Sequence, residues 1–114
     1  MTHIKTQILT ISPENMAMAA AAIRAGELVA FPTETVYGLG ANAYDGKAIA
    51  KIFEAKGRPS FNPLISHGAS LNMLRGEAIF DDRALSLADK FWPGPLTMIL
   101  PRAATGQISD LACA

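Results

Sequence analysis

Residues that staple or metallate small domains are scarce in this chain. Its 114 residues include one cysteine, Cys113, and two histidines, His3 and His67. A lone thiol closes no intrachain disulfide, and nothing in the count asks for an oxidising compartment, so the expected location is the cytoplasm. The histidines lie far apart with no cysteine near either, which removes the zinc spacings and predicts no protein-held metal. Magnesium is expected only as the companion of a nucleotide, because it needs one or two carboxylates plus phosphate oxygens. Charge of one sign is also missing: ten Lys and Arg balance ten Asp and Glu, so the whole chain carries no footprint for nucleic acid or an anionic membrane. The longest greasy run, residues 16–23, is too short to span a bilayer, and the start does not read as a targeting segment. No Gly-x4-Gly-Lys-Ser/Thr occurs, which excludes a P-loop.

What is present fits one domain over residues 1–114, half of it hydrophobic and without repeat or linker. Ser12, Pro13 and Glu14 read as N-cap, first helical residue and early acid, with Met16, Ala19, Ala20 and Ile23 as an apolar stripe that ends at Gly26. Residues 28–31 predict a buried strand. Asp45 opens a second helix with Ala48, Ile49, Ile52 and Phe53 facing inward and Gly57 closing it, which puts Lys56 in its last turn. Residues 64–67 predict a strand, residues 82–91 a helix stopped by Pro93, and residues 96–100 a buried strand. This alternation favours an α/β layered fold. The mildly apolar end, residues 111–114, reads as the middle of an element, so the domain is expected to continue past it.

The candidate chemistry sits in two loops. Thr33, Thr35 and Tyr37 alternate along a segment read as extended, so their hydroxyls share one face and can line a pocket for an amine, carboxylate or hydroxyl; the plain structural reading is three β-formers in an edge strand. Gly38-Leu39-Gly40 followed by Ala43 matches G-x-G-x-x-A. Yet six residues separate the first glycine from the strand, and no carboxylate stands near positions 58–62, so glycines serving a tight turn are the better reading. Lys56 and Arg58 supply a point charge and a planar fork across Gly57 where phosphate can be held. Lys56 equally complements a helix C-terminus, whereas Arg58 stands in a constrained loop between Gly57 and Pro59. Asn62 is a turn former or a partner for adenine or phosphate. His67 is a strand-end histidine or a holder of a substrate carboxylate or hydroxyl. Phe91 and Trp92 read as core aromatics.

Three ordered blocks then carry a resemblance: residues 31–43 (FPTETVYGLGANA), residues 56–65 (KGRPSFNPLI) with His67, and residues 91–97 (FWPGPLT). In these the chain resembles the YrdC/Sua5 family, the L-threonylcarbamoyladenylate synthases of tRNA modification, over nearly its whole length from Ile8. The resemblance implies a YrdC-like twisted open α/β sheet of mixed strand direction with flanking helices, here the N-terminal portion and incomplete at the C-terminus. It implies a reaction of L-threonine, bicarbonate and ATP giving threonylcarbamoyl-AMP and pyrophosphate, with the product passed to tRNA-modifying proteins. Carried over residue by residue, Thr35 and His67 contact threonine, with Thr33 and Tyr37 beside them. Arg58 and Asn62 contact ATP, and Lys56 with Arg58 forms the family's Lys-x-Arg pair on the phosphates. The family's later Ser-x-Asn element does not occur in residues 102–114.

Two other readings follow from the same residues. Members of the family are also described as binding double-stranded RNA, and Lys47, Lys51, Lys56 and Arg58 form a basic stripe, which Asp45 and Glu54 interrupt. A carbamoyl-transfer relative sharing the fold, with another carbamoyl source in place of threonine, is the third.

Overall fold

Local capping decides where the helices begin and end. The computed structural model describes residues 5–57 and 63–113. Helix α1 spans Pro13–Arg24, with Ser12 Oγ accepting the Asn15 N–H at 3.1 Å and proline in the first turn. Strand β1 (Val29–Pro32) follows and pairs antiparallel with β2 (Tyr37–Gly40), Phe31 facing Gly38 and Pro32 facing Tyr37. Helix α2 spans Gly46–Lys56; Asp45 Oδ1 caps it by accepting the N–H groups of Lys47 at 3.0 Å and Ala48 at 3.3 Å. Gly57 ends it at φ 63°, the left-handed conformation in which a side chain is strained. Helix α3 (Leu71–Arg75), helix α4 (Asp82–Phe91) and a 3-10 turn at Asp110–Ala112 complete the order.

The inward face of α2 is the one anticipated: Ala48, Ile49, Ile52 and Phe53 are all buried. Ile49 and Phe53 pack with Ala112 of the 3-10 turn, and Leu64 and Ile108 lean on the cluster. Two backbone bonds lock this arrangement, Ser109 N–H to the Ala43 carbonyl at 2.8 Å and Leu64 N–H to the Ala112 carbonyl at 3.1 Å. The closing residues of the chain thus supply part of the core. Helix α1 buries nothing completely; Met16 keeps 60% of its surface exposed, so its stripe leans on β1 rather than filling a core.

The α/β combination is as expected, with one antiparallel pair of the sheet formed among the described residues. Several expected details are corrected. Residues 33–36 are not an extended edge strand but the loop of the β1–β2 hairpin, closed by the Thr33 N–H to the Val36 carbonyl at 3.3 Å. Residues 64–67 and 96–100 carry the composition of strands but no ladder, because no neighbouring strand among the described residues offers them a row of partners. Ile99 is 98% exposed in consequence. β pairing near this segment is confined to a single bridge, Ala78 to Arg102. Phe91 is half exposed with the Lys90 ammonium 5.6 Å from its ring centroid, so it is no core aromatic. Trp92 is half-buried, its Nε1–H donating to the Leu96 carbonyl at 2.8 Å and its ring meeting Phe80 edge to face.

Candidate functional site

The hairpin loop builds its own polar rim. Thr33 Oγ1 donates to the Val36 carbonyl and accepts the Thr35 N–H at 3.3 Å, and the two threonine hydroxyls lie 3.4 Å apart. Such side-chain bonds hold a turn that otherwise has only backbone to close it. They also commit much of the Thr33 hydroxyl and turn it across the loop.

Behind this rim lies a cavity of about 570 Å³, within the usual range for small-molecule sites. Thr33 from the hairpin, Lys56 from the last turn of α2, and His67 from residues 63–68 all line it. Residues 38–44 form one wall, and Ile49 and Ile52 supply apolar floor. Three of the anticipated residues therefore converge from separate parts of the chain. Thr35 and Tyr37 are not among the described lining residues; Thr35 adjoins Thr33 on the rim, and Tyr37 is 75% exposed. Arg58 and Asn62, the anticipated nucleotide contacts, lie outside the described residues.

The glycines of Gly38-Leu39-Gly40 do not serve a tight turn. They belong to β2, and their bare face receives the ring of Phe31: a methyl built on Gly40 would overlap Phe31 Cε1 and stand 3.2 Å from Cδ1. The opposite role for this ring is with His67, whose imidazole it meets edge to face at 6.1 Å between centroids and 86° between planes.

Two lining groups escaped the sequence reading, Tyr44 and Glu77. Glu77 Oε2 accepts the backbone N–H groups of Gln107 at 2.7 Å and Ile108 at 3.2 Å, which pins the segment carrying Ile108 against the cavity. Tyr44 has its phenol pushed above the ordinary value, first by burial and then by the charge and acceptor oxygens of Glu77. A tyrosine and a glutamate at positions 44 and 77 give no local spacing signal, so only the fold could pair them.

Glu77 is the carboxylate among the described lining residues, and its Oε2 is already committed to two backbone donors. No cluster of three His, Cys, Asp or Glu side chains occurs among the described residues. The basic stripe is likewise curtailed: the Lys51 ammonium donates to the Gly26 carbonyl at 2.9 Å and lies 3.8 Å from Glu27. No helix among the described residues is long and apolar enough to cross a membrane.

A hairpin, a helix end and residues 63–67 together enclose a polar-rimmed cavity of small-ligand size on an α/β frame. Residues 21–114 match the Sua5/YciO/YrdC family model, whose description is telomere recombination, and the chain belongs to that family. It is 60% identical over 102 residues to the threonylcarbamoyl-AMP synthase of Pyrococcus abyssi, a match covering 83% of this chain and 30% of the relative. With the Bacillus subtilis protein of the same name it shares 54% over 99 residues, covering 84% and 28%. A crystal structure of Pyrococcus abyssi Sua5 complexed with L-threonine superposes with a TM-score of 0.82 at 50% identity, covering 91% of this chain and 30% of that one. The chain thus spans under a third of the length of these relatives.

Proposed function

We propose that this chain supplies the threonine and nucleotide contacts of a threonylcarbamoyl-AMP synthase, making threonylcarbamoyl-AMP and pyrophosphate from L-threonine, bicarbonate and ATP for the modification of tRNA. The observation that carries this is the convergence of Thr33, Lys56 and His67 on one cavity, in a family member close in sequence to synthases and to a Sua5 that binds L-threonine.

The neutral threonine amine and bicarbonate combine, forming the N–C bond of a carbamate with loss of water. A carbamate oxygen then attacks the α-phosphorus of ATP, and the bond from that phosphorus to the bridging oxygen breaks as pyrophosphate departs. Such a step asks for positioning and for cations facing the charge that builds on the phosphate oxygens, not for a covalent protein nucleophile. Lys56, in the last turn of α2, and Arg58 are assigned to those oxygens, and Asn62 to the nucleotide. His67, with Thr33 and Thr35 on the rim, is assigned to threonine, and Tyr37 to its outer edge. A magnesium ion arriving with the nucleotide would supply further positive charge at its phosphates. The product goes to tRNA-modifying proteins in the cytoplasm.

The test is pyrophosphate release from ATP by the full chain, with and without L-threonine and bicarbonate. Arg58→Ala is expected to abolish the release that depends on both; unchanged release removes the assignment. The double-stranded RNA reading gains nothing from a stripe whose Lys51 is tied to Gly26 and Glu27.

A further inference from the structure

The short motif Gly38-Leu39-Gly40 has a physical reason independent of turn geometry. Cross-strand partners share a face of an antiparallel pair, so Phe31, opposite Gly38, leans over the side of β2 that its two glycines leave bare. At Gly38 a methyl would meet Phe31 Cε2 and Cζ at 3.8 Å, an ordinary contact. At Gly40 it would collide with one edge of the ring. Gly40 is therefore the position that lets the ring lie down across the strand.

The imidazole of His67 meets this same ring edge to face. His67 lies in residues 63–68, which form no helix or strand, and no side-chain hydrogen bond orients its imidazole among the described residues. His67 is exposed and lines the cavity, so a ring that fixes the plane of its imidazole also fixes the directions its two nitrogens can take. An edge-to-face pair has a preferred angle, which a mere apolar filler of equal volume lacks.

We infer that Phe31 and Gly40 are positioning residues for His67: Gly40 admits the Phe31 ring, and the ring sets the direction in which the imidazole presents its nitrogens to the ligand. Taking that ligand to be L-threonine rests on the function proposed above. The edge-to-face preference corresponds to roughly 2- to 12-fold in affinity.

The test uses the full chain with Phe31→Leu, Phe31→Tyr and Gly40→Ala, read by the NMR signals of the His67 imidazole protons and by calorimetric titration with L-threonine. In the parent, the imidazole protons are expected to be displaced by the ring current of Phe31. The displacement should vanish in Phe31→Leu, shrink in Gly40→Ala and persist in Phe31→Tyr. L-Threonine binding should weaken about tenfold in Phe31→Leu and return to within about twofold in Phe31→Tyr. An imidazole signal indifferent to Phe31→Leu overturns the positioning role whether or not threonine binds. So does unchanged threonine affinity alongside a lost displacement. A displacement that follows Phe31 and Gly40 in a chain that does not bind L-threonine supports the positioning and defeats the threonine reading instead.

Discussion

Glu77 reaches across thirty residues of sequence to accept the Gln107 N–H at 2.7 Å, and the same oxygen takes the Ile108 N–H beside it. One carboxylate thereby stands in for a strand partner, satisfying two backbone donors in a segment that forms no ladder. Thr105 Oγ1 to the Gly76 carbonyl at 2.8 Å and Ala103 N–H to the Glu77 carbonyl at 2.9 Å bind the same two segments from either side.

Removing the carboxylate should therefore cost stability without detaching the segment. Hydrogen bonds to a charged group contribute about 1.5–3 kcal/mol, so Glu77→Ala is expected to lose about 2 kcal/mol in urea unfolding. Glu77→Gln keeps an acceptor oxygen and should lose about half as much. An unchanged midpoint in Glu77→Ala would show that the flanking backbone bonds hold the segment alone.

Tyr44 gives a pH signature for the same corner. Its phenol in the folded chain ionises above the ordinary value of 10.0, through burial first and Glu77 second. Below that value both folded and unfolded chains hold the proton, and the contribution to stability is complete. As pH rises past it the unfolded chain loses its proton first, so stability falls, and the loss is complete above the folded value. Phenolate absorbance should accordingly show Tyr44 titrating above the ordinary value. Glu77→Gln should move it part of the way back, leaving the part due to burial.

The end of α2 offers a backbone test. A methyl on Gly57 would meet nothing within 4 Å among the described residues, yet the residue sits at φ 63°. Any cost of Gly57→Ala is then conformational, and about 1–2 kcal/mol is expected from the left-handed penalty. Gly57→Asn should recover much of it, since asparagine tolerates this region. Equal stability of both variants to the parent in thermal unfolding would mean that the helix ends elsewhere.

The site was legible in part. Lys56 could be placed because a helix cap and a helix stop, Asp45 and Gly57, fix which turn carries it. His67 could be singled out as the histidine closing the short apolar run at residues 64–65, but its orienting neighbour is Phe31, far away in sequence. Thr33 and Thr35, which alternate with Tyr37 as if on one face of a strand, lie instead in the loop before β2. Alternation of β-forming residues looks the same in a strand and in a loop flanked by strands, and the Thr33 side-chain bonds that make it a loop leave no periodic mark. The glycines at 38 and 40 were visible, their purpose was not, since a space for a ring is defined only when the ring arrives.

By itself the sequence determined α1, α2 and α4, the caps of the first two and the buried face of α2, but not the single short turn of helix at α3. A helix closes its bonds between residues four apart, and its capping groups lie within three more, so the needed information is local. Tertiary structure alone decided that residues 29–40 fold into a hairpin while residues 64–67 and 96–100 stay unladdered. It also decided that Glu77 serves Gln107 and that Phe31 stands between Gly40 and His67. A strand, a remote hydrogen bond and a ring contact each need a partner from elsewhere in the chain, and that partner is chosen by packing rather than by neighbouring residues.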